Sequence, residues 1–475
     1  MAYRPMVGLE VHAQLLTTSK MFCGCPVEFG SEPNGNCCPV CIGLPGALPV
    51  PNKKAVELVI RTGLALGCQV GESCRFYRKN YFYPDLAKNF QISQYDEPLT
   101  FGGTIELEAD GEPFTIRIRR AHLEEDTGKN THLSDGRSLV EYNRSGVPLM
   151  EIVTEPDFTS ADQVRVYLLE LRRLLRYLGV STANMEEGAM RCEPTVNLVD
   201  REAGNATPKV EIKNLASFRV VHDAVSYEIE RQHWCLEHDE PMRQETRRWN
   251  STEQKTTSMR VKESADDYMY FPEPDLVPIV PEAEWVESIR ASIPELPLQR
   301  RARFVSAYGL PEYDAEVLTD NRVMADYFEA AAEASGDPKS ASNWVMGDFT
   351  YQLSEHGQTP DTCTLRPEDL GRLIALINDG TISTKIAKDI FAEFFERGGD
   401  PGAIINEKGL EQISDTSELE AICDAAIEAN PKAADDVRAG KQKALGAIVG
   451  FVMKETRGQA NPGLVNEILQ RKLGQ

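Results

Sequence analysis

Several features that would place this chain in a special class of protein are missing from its 475 residues. No apolar run reaches the length that crosses a membrane. The first residues, MAYRPMVGLEVHAQL, lack the apolar core of a secretory signal peptide. No internal repeat or low-complexity tract occurs. These absences predict a cytoplasmic globular protein, and its length predicts two or three domains.

Basic residues and phosphate-binding loops are also scarce. The chain has 51 Lys and Arg against 74 Asp and Glu, a formal charge of −23, which argues against indiscriminate coating of nucleic acid. The sequence contains no G-x-x-x-x-G-K-[ST] motif, so any nucleotide must bind at a site other than a P-loop. From Lys432 to Gln475 the balance reverses, with eight basic and four acidic residues. This segment is either a solvated helical surface or a basic module attached to an acidic body.

Hydrophobic patterning changes along the chain. Up to about residue 290 it indicates mainly strands, such as 7–11, and a hairpin around Asp110-Gly111. Amphipathic helices are predicted after Asn52 and after Ser160, where Gln163 completes a capping box. We therefore predict an α+β fold with a mixed or antiparallel sheet.

Two breaks divide the rest of the sequence. Prolines are spaced closely over 272–297, and beyond them the pattern becomes helical. A second break is the glycine-rich segment 398–402. It precedes a small helical segment at the C-terminus, in which the helices have clear start and stop signals. An all-α domain and a small helical tail domain are therefore expected after the sheet.

Five of the 11 cysteines lie close together near the N-terminus. Cys23 and Cys25 form one pair, and Cys38 and Cys41 form a second with the usual two-residue gap. Four thiolates suit a tetrahedral Zn²⁺ that is closed to substrate, which predicts a structural zinc clip and leaves Cys37 as a spare thiol. Buried free thiols and an iron–sulfur cluster remain open as alternatives.

Polar side chains recur where strands are predicted. Glu10, His12 and Gln14 share one face of the first strand because side chains alternate. Glu151 stands in an otherwise apolar run, where a lone carboxylate is rarely buried unless it is paired or holds a metal. One imidazole with carboxylates fits a magnesium site, although a solvent-facing strand would show the same pattern.

A further segment, 78–88, mixes aromatic residues with two lysines. Such a mixture can stack a base and hold phosphates or a carboxylate. It can equally form an ordinary aromatic cluster with exposed lysines.

Together these segments resemble the B-subunit family of the bacterial glutamyl/aspartyl-tRNA amidotransferases. The match runs in order over nearly the whole chain. It departs at Met269, where arginine is expected, and at Ala216, where asparagine is usual. The matching blocks include VGLEVHAQL, TTSKMFCGCPVEFG, CCPVCIGLPGALPVPN, RKNYFYPDLAKNFQISQYDEPL, HLEEDTGK, YNRSGVPLMEIVTEPD and GFVMKETRGQANPGLVNEIL.

The resemblance implies a cradle domain over 1–292, a helical linker domain over 293–402 and a tail domain over 403–475 that contacts tRNA. It implies a heterotrimer with a glutaminase A subunit and a C subunit. In that complex the B subunit uses ATP and Mg²⁺ to phosphorylate the side-chain carboxylate of misacylated Glu-tRNA(Gln) or Asp-tRNA(Asn), and ammonia then displaces the phosphate. The alternative is a subunit of the same complex that binds tRNA but catalyses no reaction. The chain shows no amidase or glutaminase signature of its own, so ammonia must come from elsewhere.

The resemblance also implies roles for individual residues. Glu10, His12, Lys79, Lys88 and Glu125 are expected in catalysis. ATP or substrate is expected to bind Tyr81, Tyr83 and Arg144 together with Lys79 and Lys88. Mg²⁺ is expected to bind His12, Glu125 and Glu151, and Zn²⁺ is expected to bind Cys23, Cys25, Cys38 and Cys41, which match zinc cysteines that some members carry. The residues expected to bind tRNA are Lys441, Lys443, Lys454 and Arg457.

Overall fold

The structure is a computed structural model, and it describes residues 3–28, 30–261, 269–410, 416–439, 441–456 and 459–474. The chain divides into two compact units, 1–296 and 297–475. A mixed sheet in the first unit and helices in the second confirm the predicted α+β class. Among the described residues, no helix combines the length and apolar character needed to cross a bilayer.

The first unit is built on one large sheet. Its strands lie in the order β13-β12-β11-β10-β1-β9-β6-β5-β2, and every neighbouring pair is antiparallel except β11 with β12. A second sheet has the order β14-β3-β4, and β7 pairs with β8. The strands are β1 Tyr3–Gln14, β2 Gln69–Val70, β3 Tyr77–Asn80, β4 Phe90–Ser93, β5 Thr100–Ala109, β6 Glu112–Glu125, β7 Lys129–His132, β8 Ser138–Glu141, β9 Pro148–Thr154, β10 Met190–Asp200, β11 Val210–Lys213, β12 Glu245–Asn250, β13 Lys255–Val261 and β14 Met269–Pro272.

Helices cover one face of the large sheet. They are α1 Lys53–Ala65, α2 Ala161–Tyr177 and α3 Phe218–Glu237, and α4 Ala283–Ala291 packs against α1. The helices α1 and α2 begin after Asn52 and Ser160 as predicted, and both side chains cap their helices. The side-chain oxygen of Gln163, however, accepts a hydrogen bond from the backbone amide of Thr159 rather than from that of Ser160. Val7, Leu9 and Val11 are buried, and they are the apolar members of the alternation in β1.

The opposite face of the sheet, called here the open face, carries the polar members of the same alternation. A β-bulge between Ile118 and Arg120 shifts the phase of β6. Before the bulge Ile116 and Ile118 are buried, and after it Ala121 and Leu123 are. The bulge therefore decides which side chains of β6 reach the open face.

The second unit is helical and contains two separate hydrophobic clusters. One gathers residues between 304 and 405, and the other gathers residues between 419 and 473. The three-domain division and its boundaries stay a prediction. The helices are α5 Pro297–Tyr308, α6 Glu312–Leu318, α7 Arg322–Ser335, α8 Pro338–Trp344, a π-helical turn Val345–Phe349, α9 Thr350–His356, α10 Pro367–Asn378, α11 Thr384–Arg397, α12 Pro401–Lys408, α13 Thr416–Ala429, α14 Pro431–Arg438, a 3₁₀ turn Gln442–Ala444, α15 Leu445–Glu455 and α16 Pro462–Leu473.

Candidate functional site

A cluster of two histidines and two glutamates lies on the open face of the sheet. His12 Nε2 is 3.7 Å from a carboxylate oxygen of Glu124 and 3.7 Å from one of Glu151. His122 Nε2 is 3.5 Å from the other oxygen of Glu124 and 3.3 Å from Glu151. We call these four residues the His–Glu cluster.

Strand register brings the cluster together. His12 on β1 is directly opposite Glu151 on β9, and Glu151 is opposite His122 on β6. Glu124 lies two residues beyond His122, so both side chains leave the same face of β6. Residues separated by more than a hundred positions therefore meet in one row across three strands.

Strand β4 fixes the orientation of Glu124. Ser93 Oγ donates a 2.6 Å hydrogen bond to one carboxylate oxygen of Glu124, and Gln91 Nε2 donates a 3.2 Å bond to the other. Lys79 on β3 is close enough for its charge to act on Glu124. This carboxylate is buried but fully engaged, as a preorganised ligand requires.

Electrostatics within the cluster favour charged forms despite burial. Burial alone would lower the pKa of His122, but Glu151 and Glu124 raise it above its ordinary value. Burial would likewise raise the pKa of Glu124, yet the hydrogen bond from His122 and the charge of Lys79 hold it well below its usual range. The cluster therefore presents ionised carboxylates in a site that water reaches poorly.

Three members of the cluster can hold a cation. His12, Glu124 and Glu151 each offer a ligand atom, and these atoms lie within 4.8 Å of one another. Two carboxylates and one imidazole fit a divalent ion such as Mg²⁺ that keeps part of its coordination for water or phosphate.

Glu125, predicted as a metal ligand, does not join this cluster. Its side chain leaves the opposite face of β6, where it forms a hydrogen-bonded ion pair with Lys88 Nζ and accepts a 2.9 Å bond from the Ile92 amide. Lys88 is committed to Glu125 and is not free to clamp a phosphate on the open face. The structure thus places Glu124 where the sequence predicted Glu125, because consecutive strand residues point to opposite faces.

The Lys88–Glu125 pair lies at a pocket of about 160 Å³ next to the cysteines. Gly43 lines the same pocket with φ of +70°, and a Cβ there would collide with Lys88, so this close approach requires glycine. The pocket also contains Arg78, which makes 2.7 and 2.9 Å bonds to Glu273.

Breaking this pair should destabilise the first unit. In Lys88→Met, the buried Glu125 carboxylate loses its counter-ion, so we expect the free energy of unfolding to fall by about 3 kcal/mol. The double variant Lys88→Met/Glu125→Gln should recover part of that loss because no charge is left unpaired. Urea denaturation followed by circular dichroism measures both changes, and equal stability of the single and double variants would contradict the ion-pair argument.

Other predicted substrate residues lie around these two places. The Tyr81 hydroxyl is 3.5 Å from Gln91 Oε1, which brings Tyr81 to the edge of the His–Glu cluster. The Tyr83 ring is exposed. Arg144 donates 3.0 and 2.7 Å bonds to the backbone oxygens of Thr127 and Gly128, so it braces the loop that follows β6.

A second acidic row borders the cluster. Glu10 on β1 is opposite Glu193 on β10, and Lys213 Nζ binds Glu193 at 2.6 Å and Glu211 at 2.9 Å. Glu10 is solvent-accessible, yet partial desolvation by the surrounding protein and then the charges of Glu151 and Glu193 raise its pKa to about 7. A carboxylate with that pKa can exchange a proton near neutral pH.

The four predicted zinc cysteines are brought together. One sulfur each from Cys23, Cys25, Cys38 and Cys41 lies within 4.8 Å of all the others. A hydrogen bond from Cys23 lowers the pKa of Cys41 to about 4, which favours the thiolate form that binds a metal. Cys37 is outside this group, with its sulfur 3.9 Å from Asn143 Oδ1. The geometry and the donor set fit a structural Zn²⁺.

The adjacent residues Cys37 and Cys38 give a matched test of the predicted zinc site. Cys38→Ser should lose bound zinc and lower the thermal midpoint of the full chain, because a structural metal site contributes directly to folding. Cys37→Ser should keep both at the wild-type values. Metal analysis by mass spectrometry with thermal denaturation checks this, and zinc loss in both variants or in neither would refute the four-sulfur assignment.

The predicted tRNA-binding lysines lie in the second unit. Lys443 and Lys454 are exposed, and Lys441 Nζ is 3.0 Å from Asp436. Arg457 lies outside the residues that the structure describes.

Sequence reasoning missed Glu124, His122, Ser93 and Gln91. The alternation His122-Leu123-Glu124 was a usable signal, because a buried Leu123 puts its two neighbours on the polar face together. No comparable signal marks Ser93 or Gln91, whose position depends on how the second sheet meets β6.

Comparisons with known proteins identify the family of the chain. Residues 5–287 match the family model of the GatB/GatE catalytic domain, and residues 326–473 match that of the GatB domain. The chain is 50% identical over 475 residues to the B subunit of the aspartyl/glutamyl-tRNA(Asn/Gln) amidotransferase of Carboxydothermus hydrogenoformans, and the match covers 99% of both chains. It is 48% identical over 479 residues to the protein of the same name from Thermotoga neapolitana, covering 100% of this chain and 99% of that protein. The chain therefore belongs to the GatB family of aspartyl/glutamyl-tRNA(Asn/Gln) amidotransferase B subunits.

Proposed function

We propose that this chain activates the side-chain carboxylate of misacylated Glu-tRNA(Gln) or Asp-tRNA(Asn) with ATP and then catalyses its amidation. The products are Gln-tRNA(Gln) or Asn-tRNA(Asn), ADP and phosphate. The observation that carries the proposal is the His–Glu cluster on the open face, which holds a cation-binding set in a chain of an amidotransferase family.

The chemistry proceeds in two displacements. A carboxylate oxygen of the substrate attacks the γ-phosphorus of ATP, the bond to the ADP oxygen breaks, and an acyl phosphate forms. Ammonia then attacks the acyl carbon, phosphate leaves with the bridging oxygen, and the nitrogen gives up a proton. Phosphorylation is required because a free carboxylate is a poor acyl donor.

His12, Glu124 and Glu151 would hold Mg²⁺, with Ser93 and Gln91 keeping Glu124 in place. When bound, the ion supplies positive charge that neutralises phosphate oxygens. Lys79, whose charge acts on Glu124, would bind an oxygen of the transferred group. Glu10, whose pKa is raised to about 7, would accept the proton that the attacking nitrogen releases.

The remaining parts serve assembly and substrate binding. Ammonia is supplied by a glutaminase A subunit in a complex that also contains a C subunit. The zinc clip holds the loop beside the Lys88–Glu125 pocket in its folded form. The basic helices of the C-terminal segment bind tRNA.

Isotope transfer tests the proposal. Charged tRNA labelled with ¹⁸O in the side-chain carboxylate is incubated with the assembled complex, ATP and glutamine. One ¹⁸O atom per turnover should appear in inorganic phosphate, and His12→Ala should abolish both the transfer and tRNA-dependent ATP cleavage. Unlabelled phosphate would refute the acyl phosphate. Full activity of His12→Ala would instead favour a protein that binds tRNA without chemistry.

A further inference from the structure

The β-bulge in β6 turns two consecutive arginines outward beside the His–Glu cluster. Arg119 and Arg120 occupy the irregular position, between buried Ile118 and buried Ala121. Arg120 lies two residues from His122, on the same face of the strand. Bulges commonly redirect a side chain next to an active site. The partners of the two arginines decide which of them can bind a ligand there.

The two arginines differ in their partners. Arg119 makes hydrogen bonds of 2.9 and 2.8 Å to the two carboxylate oxygens of Glu155 and is neutralised. Arg120 donates a 3.2 Å bond to the backbone oxygen of Tyr95, and its Nε is buried without a hydrogen-bond partner among the described residues. No carboxylate in the described ranges lies within 4.0 Å of its guanidinium. Burying half of a guanidinium without a counter-ion costs free energy, and an anionic ligand bound to Arg120 would offset that cost.

Aromatic rings stand next to this arginine. Phe101 on β5 is directly opposite Arg120, and this residue is 39% exposed. Tyr95 is 47% exposed and stacks on Tyr270 with ring centroids 4.5 Å apart, which holds the ring in a fixed orientation. A groove of about 580 Å³ includes Tyr95, Phe101 and Arg120, a size that accommodates a nucleotide.

Charge varies within this groove. Arg119 and Arg120 line it together with the carboxylates of Glu72, Asp96 and Glu97. Phosphates are favoured near the unpaired guanidinium and disfavoured near the acids. Carboxylates can instead accept from an exocyclic amino group of a base. The groove is therefore complementary to a ligand with one anionic and one aromatic, amino-bearing end.

We propose that this groove binds an adenine nucleotide, with Arg120 on a phosphate and the base against Tyr95 and Phe101. Base stacking on aromatic rings and a guanidinium on phosphate are the usual elements of such recognition. The inference rests on the proposed function, which requires ATP and a tRNA that ends in adenosine. Both carry the chemistry that the groove fits, and both must bring a reacting group to the neighbouring His–Glu cluster.

Calorimetric titration of the full chain with ATP, AMP and adenosine, without divalent metal, tests the groove apart from the metal site. Arg120→Gln should raise the dissociation constants of ATP and AMP at least tenfold and leave that of adenosine unchanged. Tyr95→Ala should weaken all three ligands, whereas Tyr95→Phe should retain binding. Arg117→Gln is the matched control, because Arg117 lies on the same strand before the bulge and pairs with Asp157.

The second part of the test measures the KM for charged tRNA with the assembled complex. If ATP binding is unchanged in Arg120→Gln but the KM for charged tRNA rises at least tenfold, the groove holds the terminal adenosine of tRNA. If neither constant changes in a variant with the wild-type thermal midpoint, the groove is not a nucleotide site and the inference is wrong. That failure is separate from failure of the proposed function, which is decided by ¹⁸O transfer to phosphate in the wild-type complex.

Discussion

Glu124→Gln should reduce the kcat for tRNA-dependent ATP cleavage and for amidation by roughly 10²- to 10³-fold, the usual cost of removing one electrostatic interaction with a transition state. The amide keeps the shape of the side chain and can still accept from Ser93, so the fold is preserved. It removes the negative charge that His12 and His122 face. Single-turnover assays of the assembled complex measure the loss, and the Mg²⁺ concentration for half-maximal rate should rise with it.

Glu108→Gln gives a matched control. Glu108 is an exposed glutamate on β5 of the same sheet, so its substitution changes the net charge equally without touching the cluster. Its activity should equal that of the wild type. The assignment of Glu124 would be wrong if Glu124→Gln were fully active, or if it lost tRNA binding to the same extent as activity.

Patterning within an element was enough to predict much of the fold. Alternation in 7–11 and the Asp110-Gly111 turn predicted β1 and the β5–β6 hairpin, because one buried face imposes a period of two. Asn52 and Ser160 predicted where α1 and α2 begin, since each side chain satisfies a free backbone amide there. These signals are local, so they need no knowledge of tertiary structure.

The candidate site was predictable only in part. The cysteine cluster follows from close spacing in sequence. His12 stands out on the polar face of an alternating strand, and Glu151 stands out as the carboxylate within an apolar run. Their pairing depends on the register between β1 and β9, which no local pattern contains. The structure places Glu124, and not Glu125, beside His12 and Glu151. Which of the two glutamates reaches the open face depends on the alternation of side chains along β6, and the bulge before Arg120 shifts that alternation.

Replacing Lys441, Lys443 and Lys454 by glutamine should weaken tRNA binding by about tenfold at roughly 0.1 M salt, because each lysine that binds a phosphate releases a counter-ion. The slope of log affinity against log salt should become shallower by about one for each lysine that no longer binds a phosphate. Lys443 and Lys454 are exposed and Lys441 has one surface partner, so the fold should be retained. Filter binding of charged tRNA over a salt series measures both quantities.

A second triple variant distinguishes the effect of where the lysines lie from the effect of the lost net charge. Lys385, Lys388 and Lys408 lie on α11 and α12 of the same unit, outside the basic segment, and their replacement by glutamine removes the same charge. If the tail lysines bind phosphates, this control keeps the wild-type salt slope. If both triples shift the slope equally, tRNA responds to the overall field of the unit and the tail is not its anchor. Saturating tRNA should restore amidation in the tail variant, because the His–Glu cluster is intact in it.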